Sequence, residues 1–239
     1  YAASRFIPLA APSSPKLRID RNLFRSTWEM LVYPLSNKDV FRSIIGISWF
    51  WFLGSVFLAQ FPSFAKDTLG GDEQVSTLFL VIFSVGVGAG ATLCNKLLKG
   101  RVSGRYLSYS LIGMSVFIGM LYMFSASAPA GEGLMSVWEF LRGPRAAGIV
   151  FSMFMIALSG GLYSVPMYAM MQRMTPESHM ARVIASLNII DSLGMVLAAA
   201  LTALMIAAGM SISGIFFAMA FINLLMLPLT IKLSRINYD

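Results

Sequence analysis

The fold is decided by residues 183–231, which read VIASLNIIDSLGMVLAAALTALMIAAGMSISGIFFAMAFINLLMLPLTI and carry a single charge, Asp191. A helix needs about 20 apolar residues to cross a bilayer, so this stretch is long enough for two crossings. Glycine and serine gather in its middle, between Gly209 and Gly214, as they do in turns. The sequence therefore predicts two spans here, at about 183–208 and 212–233.

Four more uncharged runs lie upstream and predict further spans at about 43–65, 74–95, 106–127 and 146–172. The chain of 239 residues is 57% hydrophobic and 12% charged. A soluble domain carries about 25% charged residues, so an ordinary soluble protein is excluded. The expected fold class is an all-α membrane protein with six transmembrane helices. Six spans divide into three plus three, which is how inverted repeats build half of a secondary transporter.

Lys and Arg are divided unevenly between the two sides of the predicted bundle. Fifteen of the 18 fall in the N-terminal segment, in the loops after spans two and four, and in the C-terminal tail. Short cytoplasmic loops are enriched in these residues, which predicts that both termini are cytoplasmic. The loop after span two holds four of them: Lys96, Lys99, Arg101 and Arg105.

Several kinds of site are not expected in this chain. One cysteine, Cys94, and one histidine, His179, cannot form a disulfide or a zinc site by themselves. Gly-x-Ser-x-Gly, Walker and paired-carboxylate patterns are absent from the sequence, so we predict no enzyme activity, no cofactor and no metal. The basic residues sit between apolar runs, which favours membrane topology over nucleic-acid binding.

Residues 1–42 precede the first span. Pro8, Pro12 and Pro15 predict an extended, solvated linker. Apolar residues such as Trp28 and Leu31 then follow at helical spacing. This pattern predicts either an amphipathic helix on the inner leaflet or a short helix packed under the bundle.

Asp191 is the only ionisable residue well inside a predicted span. An acid at the centre of a membrane helix costs about 2.5–3.5 kcal/mol, so it usually faces a cavity or a partner. Asn188, Ser192 and Met195 share its helix face by spacing. This stripe predicts contact with a polar substrate or a cation. A polar clamp to a neighbouring helix, or hydration near the helix end, is the alternative.

Two other spans hold candidate residues. In span one, Trp51 and Ser55 share a face with Ser48, and Gln60 lies near the end of the run, which predicts an amphiphile-binding wall. Aromatic residues that simply face lipid are the alternative. In span four, three residues are expected to interrupt the helix and to act as a hinge or gate, unless they serve ordinary packing: Gly160, Gly161 and Pro166.

Four stretches resemble the C-terminal half of a major facilitator superfamily transporter. The similarity is to its lysophospholipid transporter branch, which includes versions fused to acyltransferase and acyl-carrier-protein ligase domains. The stretches cover most of residues 41–197: FRSIIGISWFW at 41–51; QFP at 60–62 with LGGDE at 69–73; GAG at 88–90 through LC at 93–94 to GRV at 100–102; and GGLYSVP at 160–166 through ARVIA at 181–185 to NII at 188–190.

The resemblance implies that the spans are helices seven to twelve of the transporter. Residues 1–42 are then the end of a preceding helix and the cytoplasmic linker, and the N-terminal six-helix half of the same transporter is a partner. It also implies that lysophospholipid, chiefly lysophosphatidylethanolamine, crosses the bacterial inner membrane by alternating access. Asn188, Asp191 and Gln60 would meet the headgroup, and Trp51 would contact the acyl chain. An exporter of drugs or small metabolites, and the membrane anchor of a multidomain acyltransferase, are the other interpretations.

Overall fold

The computed structural model describes residues 22–125 and 134–236, of which 85% are helical. The only β pairing within these ranges is an isolated bridge between Gly71 and Met135. The elements in chain order are α1 (Leu23–Ser36), α2 (Lys38–Ser63), a π-helical turn (Phe64–Thr68), α3 (Glu73–Leu98), α4 (Leu107–Ser125), α5 (Val137–Arg142), α6 (Ala146–Met174), α7 (Glu177–Ala207), α8 (Ile212–Leu224) and α9 (Leu227–Ser234).

Five helices, α2, α3, α4, α6 and α7, are long and apolar enough to cross a membrane. The pair α8 and α9 makes a sixth crossing if its two parts, bent by 41°, act as one span. The bend falls just before Pro228, whose ring lacks the N–H that would continue the hydrogen-bond ladder. The chain is therefore a helical, multi-pass membrane protein, and the predicted fold class is confirmed at this level.

Two long helices begin earlier than the apolar runs inside them. α2 begins at Lys38 because the side chain of Asn37 accepts a hydrogen bond from the Val40 N–H and caps the helix. α7 begins at Glu177, directly after Pro176. A run of apolar residues marks the part of a helix that lies in lipid, whereas capping residues decide where the helix starts.

The helix α1 lies against the first turns of α7. The Ser186 hydroxyl donates to the Met30 carbonyl oxygen at 2.8 Å, and the rings of Tyr33 and His179 stack at 4.1 Å. On its other side α1 leaves Trp28 63% exposed. The helix is thus both packed against the bundle and apolar on its outer face. The predicted linker prolines, Pro8, Pro12 and Pro15, lie outside the described residues.

The long helices pack in a crossed pattern. α6 packs against α3 and α4, whereas α2 packs against α7 and also contacts α8 and α9. α2 and α6 touch each other, and α4 touches α8. When the chain is divided into α2–α4 and α6–α9, the first helix of each group therefore packs against later helices of the other group.

Glycines bring the backbones of α3 and α6 into direct contact. A Cβ atom placed on Gly90 would lie 2.1 Å from the carbonyl oxygen of Leu158. One placed on Gly161 would lie 2.3 Å from the carbonyl oxygen of Val87. Since neither distance leaves room for a carbon atom, any side chain at these positions requires the two backbones to separate.

The glycines of α3 and α4 differ in what they contact. Gly86 faces α6 as Gly90 does, with Ala157 2.6 Å from its hypothetical Cβ, so this Gly-x-x-x-Gly pair is a helix contact. Gly88, which lies between them, has nothing within 4 Å. Gly119 is equally open. Of the three glycines at 86, 88 and 90, only the two on one face of α3, Gly86 and Gly90, take part in helix packing.

A buried asparagine joins three helices. Asn223 of α8 is fully buried, and its side-chain oxygen accepts a hydrogen bond from the Trp49 indole of α2 at 2.8 Å. Its amide nitrogen donates to the Leu111 carbonyl oxygen and to the Ser115 hydroxyl, both on α4. Buried side-chain amides that meet three partners fix one arrangement of neighbouring helices.

We expect Asn223→Leu to lower the free energy of unfolding by about 1–3 kcal/mol, because the substitution leaves buried donors and acceptors unpaired. The measurement is thermal unfolding of the purified protein in detergent micelles. Asn95→Leu is the matched control, since Asn95 is exposed near the end of α3. Equal melting temperatures for the Asn223 variant and the control would contradict a stabilising role for this network.

Candidate functional site

The helices α2 and α7 run side by side in the same direction. Ser48 of α2 contacts Asp191 of α7, and further along both helices Ser55 and Ala198 border the same groove. The contact residues recur every three or four positions, which is the spacing of one helix face. We refer to this contact as the α2–α7 seam, formed by Ser48, Ser55 and Ala59 on α2 and by Asp191, Met195, Ala198 and Thr202 on α7. Trp51 shares this face of α2 by spacing.

Asp191 lies close to the middle of α7, about 21 Å along the helix from Glu177. Its carboxylate accepts a hydrogen bond from the Ser48 hydroxyl at 2.5 Å and is only partly buried. Among the described residues it forms no ion pair with Lys, Arg or His. One hydroxyl does not replace the hydration of a carboxylate, so the free lone pairs remain able to bind a cationic or hydrogen-bonding ligand.

A second hydrogen bond ties α2 to α6 beside this carboxylate. The Trp51 indole donates to the Tyr168 hydroxyl at 2.8 Å. Trp51 lies one helical turn after Ser48, whose hydroxyl donates to Asp191. The Trp51 side chain is 39% exposed, so its ring also presents an apolar surface outside the bundle. Polar groups from α2, α6 and α7 thus gather around one membrane-embedded acid.

Beyond Ser55 the seam opens into a groove of about 420 Å³. Its walls are mostly apolar, with methionine, leucine, isoleucine and alanines, and Ser55 and Gln60 are among its polar lining residues. A third, Thr202, is 4% exposed, and its hydroxyl makes no hydrogen bond within the part of the chain that the structure describes. The volume is typical of small-molecule sites, and the mixture of surfaces suits a ligand with an apolar chain and a polar end.

Of the four α7 residues predicted to share one helix face, only two lie in the seam. Asp191 and Met195 face α2, whereas Asn188 and Ser192 are exposed. The Ser192 hydroxyl donates to the Asn188 carbonyl oxygen, one helical turn before it. These two residues therefore lie on a neighbouring face of α7, where only a ligand or a partner outside the described residues could meet them.

Two residues that the sequence analysis did not select belong to this site. Thr202 comes eleven residues after Asp191, which is three helical turns, so its position was available from spacing alone. Tyr168 had no such signal, because its partner Trp51 lies 117 residues away in the chain.

The predicted interruption of span four is wrong. α6 is continuous from Ala146 to Met174, with Pro166 inside it and buried. Gly160 lies against the Phe50 ring, which is 3.0 Å from its hypothetical Cβ, and Gly161 lies against α3. The glycines serve close packing in this structure, which is sufficient reason for their presence. A hinge or gating role for Gly160, Gly161 and Pro166 stays a prediction.

The basic loop lies between α3 and α4, at the opposite end of the bundle from the α2–α3 connection. Lys99 ends α3 with a positive φ of 50°, and Gly100 follows with φ of 74°. The four basic side chains of this loop are all exposed: Lys96, Lys99, Arg101 and Arg105.

Comparison with known proteins finds no match for this chain. No family model, curated protein or solved structure matches the chain.

Proposed function

We propose that this chain is the C-terminal six-helix half of a secondary transporter of the major facilitator type. The transporter moves lysophospholipid, such as lysophosphatidylethanolamine, across the bacterial inner membrane by alternating access. Both termini of the chain face the cytoplasm in this proposal. The chain itself is not an enzyme and uses no cofactor; a fused or associated acyltransferase would consume the delivered lysolipid.

The crossed packing of the helices supports the transporter architecture. In an inverted repeat a two-fold axis in the membrane plane relates two three-helix units, so the contacts of a helix in one unit recur for the equivalent helix of the other. α2 and α6 have this relation, since α6 packs against α3 and α4 while α2 packs against α7, α8 and α9. The helix bent between α8 and α9 would be the last of the six spans.

We infer the class of substrate from the α2–α7 seam. A lysophospholipid has one acyl chain and a charged, hydrogen-bonding headgroup. The Asp191 carboxylate with its Ser48 hydrogen bond offers a site for the ammonium group of such a headgroup. The adjoining groove, with Gln60 and the unpaired Thr202 hydroxyl among mostly apolar residues, offers a wall for the chain and its glycerol end.

The exposed faces of α3 and α7 support a partner half. α7 is the least buried of the five long helices, and α3 is the next. Asn188 and Ser192 lie exposed on α7 and would face a central cavity between the two halves. A rocking motion of the halves around that cavity would alternate access to Asp191 from each side of the membrane.

The test uses the complete protein, with its other half, in proteoliposomes that contain lysophosphatidylethanolamine in one leaflet. We expect protein-dependent movement of the lysolipid to the other leaflet, and a two- to tenfold lower rate for Thr202→Val, about the effect of one lost hydrogen bond. Thr92→Val is the matched control, because the Thr92 hydroxyl donates to the Gly88 carbonyl oxygen on α3, outside the groove.

Other results would favour the other interpretations. Movement of small polar solutes but not of lysolipid would favour an exporter of drugs or metabolites. An absence of any transport, together with an acyltransferase that needs this chain for activity, would favour a membrane anchor. Equal slowing by Thr202→Val and Thr92→Val would remove the groove from the transport path.

A further inference from the structure

The contact between α2 and α6 contains two buried hydroxyl groups that make no hydrogen bond within the described residues. They belong to Ser43 of α2 and Tyr163 of α6, and both side chains are 0% exposed. By contrast, the buried Ser115 hydroxyl donates to the Ala220 carbonyl oxygen of α8 at 2.8 Å. Because an unpaired buried hydroxyl is destabilising, two of them at one helix contact indicate a shared partner.

The two hydroxyls are neighbours because Gly46 lets α6 approach α2. A Cβ atom placed on Gly46 would lie 3.3 Å from the Tyr163 hydroxyl oxygen. Ser43 precedes Gly46 by three residues, so both lie on one face of α2, with Cβ positions about 5–6 Å apart. Two consecutive O–H···O hydrogen bonds of about 2.8 Å span the same distance. One small molecule between the hydroxyls can therefore bind both.

A methionine borders the same point. The Sδ atom of Met167 lies 3.0 Å from the hypothetical Cβ of Gly46, beside the Tyr163 hydroxyl. Met167 follows Tyr163 by about one helical turn and is also 0% exposed. Unbranched thioether side chains adjust their shape readily and fill irregular gaps. The α2–α6 contact therefore has one flexible wall that can adapt to a small occupant.

The chemistry of the contact indicates a neutral occupant that both donates and accepts hydrogen bonds. No three acidic, histidine or cysteine side chains in residues 22–125 and 134–236 come close enough together to hold a metal ion. Asp39, one turn before Ser43, is paired with Arg42 at 2.6 Å. Two neutral hydroxyls do not compensate the desolvation of an ion, but each can donate one hydrogen bond and accept others. Water meets these conditions, and buried waters typically bind groups that the protein leaves unpaired.

We propose that an ordered water molecule is bound between α2 and α6, where it joins the Ser43 and Tyr163 hydroxyls. Water-mediated hydrogen bonds are enthalpically nearly as favourable as direct ones. The water thus links α2 to α6 inside the membrane, as Asn223 links α2 to α4 and α8. This inference does not depend on which substrate the protein moves.

Thermal unfolding of the complete protein in detergent tests the proposal by the sign of the change. Removing a hydroxyl that has no partner would raise the melting temperature, whereas removing one that binds water should lower it by about 2–4 °C. We expect the lower value for Tyr163→Phe and for Ser43→Ala. The double variant S43A/Y163F should be no less stable than the weaker single variant, because each single change leaves the other hydroxyl unpaired. Tyr109→Phe is the matched control, since Tyr109 is 72% exposed on α4.

X-ray radiolysis followed by mass spectrometry locates the water itself. Irradiation splits bound water into hydroxyl radicals, which oxidise the side chains beside it, and methionine is converted to its sulfoxide. We expect Met167 to be oxidised faster than Met153 and Met219, which are at most 1% exposed, and to lose this difference in S43A/Y163F. A higher melting temperature for Tyr163→Phe, additive losses in the double variant, or equal oxidation of the three methionines in the unaltered protein would overturn the proposal.

Discussion

Replacing Asp191 with Leu is expected to lower the rate of lysophosphatidylethanolamine movement by the complete protein at least about tenfold. A hydrogen bond to a charged group contributes about 1.5–3 kcal/mol, and every 1.4 kcal/mol corresponds to a factor of ten. The substitution removes the only acidic group within the seam and leaves the Ser48 hydroxyl without its partner. The rate is measured in proteoliposomes at matched amounts of folded protein.

Asp191→Asn separates two roles of the carboxylate: accepting the hydrogen bond from Ser48 and carrying a negative charge. The amide oxygen can still accept the hydrogen bond from Ser48, but it carries no charge for an ammonium group or a coupling cation. A rate as low as that of Asp191→Leu would show that the charge matters, and a nearly normal rate would assign Asp191 to helix contact. Glu177→Gln is the control, because Glu177 is exposed at the start of the same helix. Unchanged transport in both Asp191 variants would remove this residue from the site.

Substitution of Gly90 or Gly161 with alanine is expected to destabilise the protein by about 1–3 kcal/mol or more, as overpacked contacts do. The added Cβ would lie within 2.1 Å or 2.3 Å of a carbonyl oxygen, and backbone cannot rotate out of the way as a side chain can. For a domain of this size each kcal/mol lowers the melting temperature by about 2–4 °C. Thermal unfolding in detergent measures the change.

Gly88→Ala is the matched control for these variants. It lies on α3 beside Gly90, but nothing is within 4 Å of its hypothetical Cβ. Alanine has the higher helix propensity, so this variant should be as stable as the unaltered protein or slightly more stable. If all three alanine variants melt together, the backbone contact of α3 with α6 does not limit stability.

The sequence predicts those features of the fold that depend only on the residue types within one helix. Uncharged runs located the long helices, and Gly209 to Gly214 located the turn between α7 and α8, because both follow from local residue types. The sequence also singled out Asp191, since an acid in an apolar run needs no structure to be noticed. Thr202 could have been added from its spacing.

Properties that depend on which helices meet could not be obtained this way. Gly86, Gly88 and Gly90 look alike in sequence, yet only two of them touch α6, because helix rotation is decided by packing across the whole bundle. The same limit explains the wrong expectation for span four. Glycines and a proline were predicted to break α6, but that helix is continuous, and its Gly160 and Gly161 pack closely against Phe50 and α3.

The pairing of α2 with α7 also has a consequence for biosynthesis. The two residues that join these helices, Ser48 and Asp191, are separated by 143 positions in the chain. At about 5–20 residues per second, a ribosome takes about 7–30 s to make that length. During this interval α2 is already in the membrane, and its Ser48 hydroxyl lacks the Asp191 carboxylate that it meets in the folded protein. A chain stalled before α7 should therefore be a preferred client of membrane chaperones and quality-control proteases.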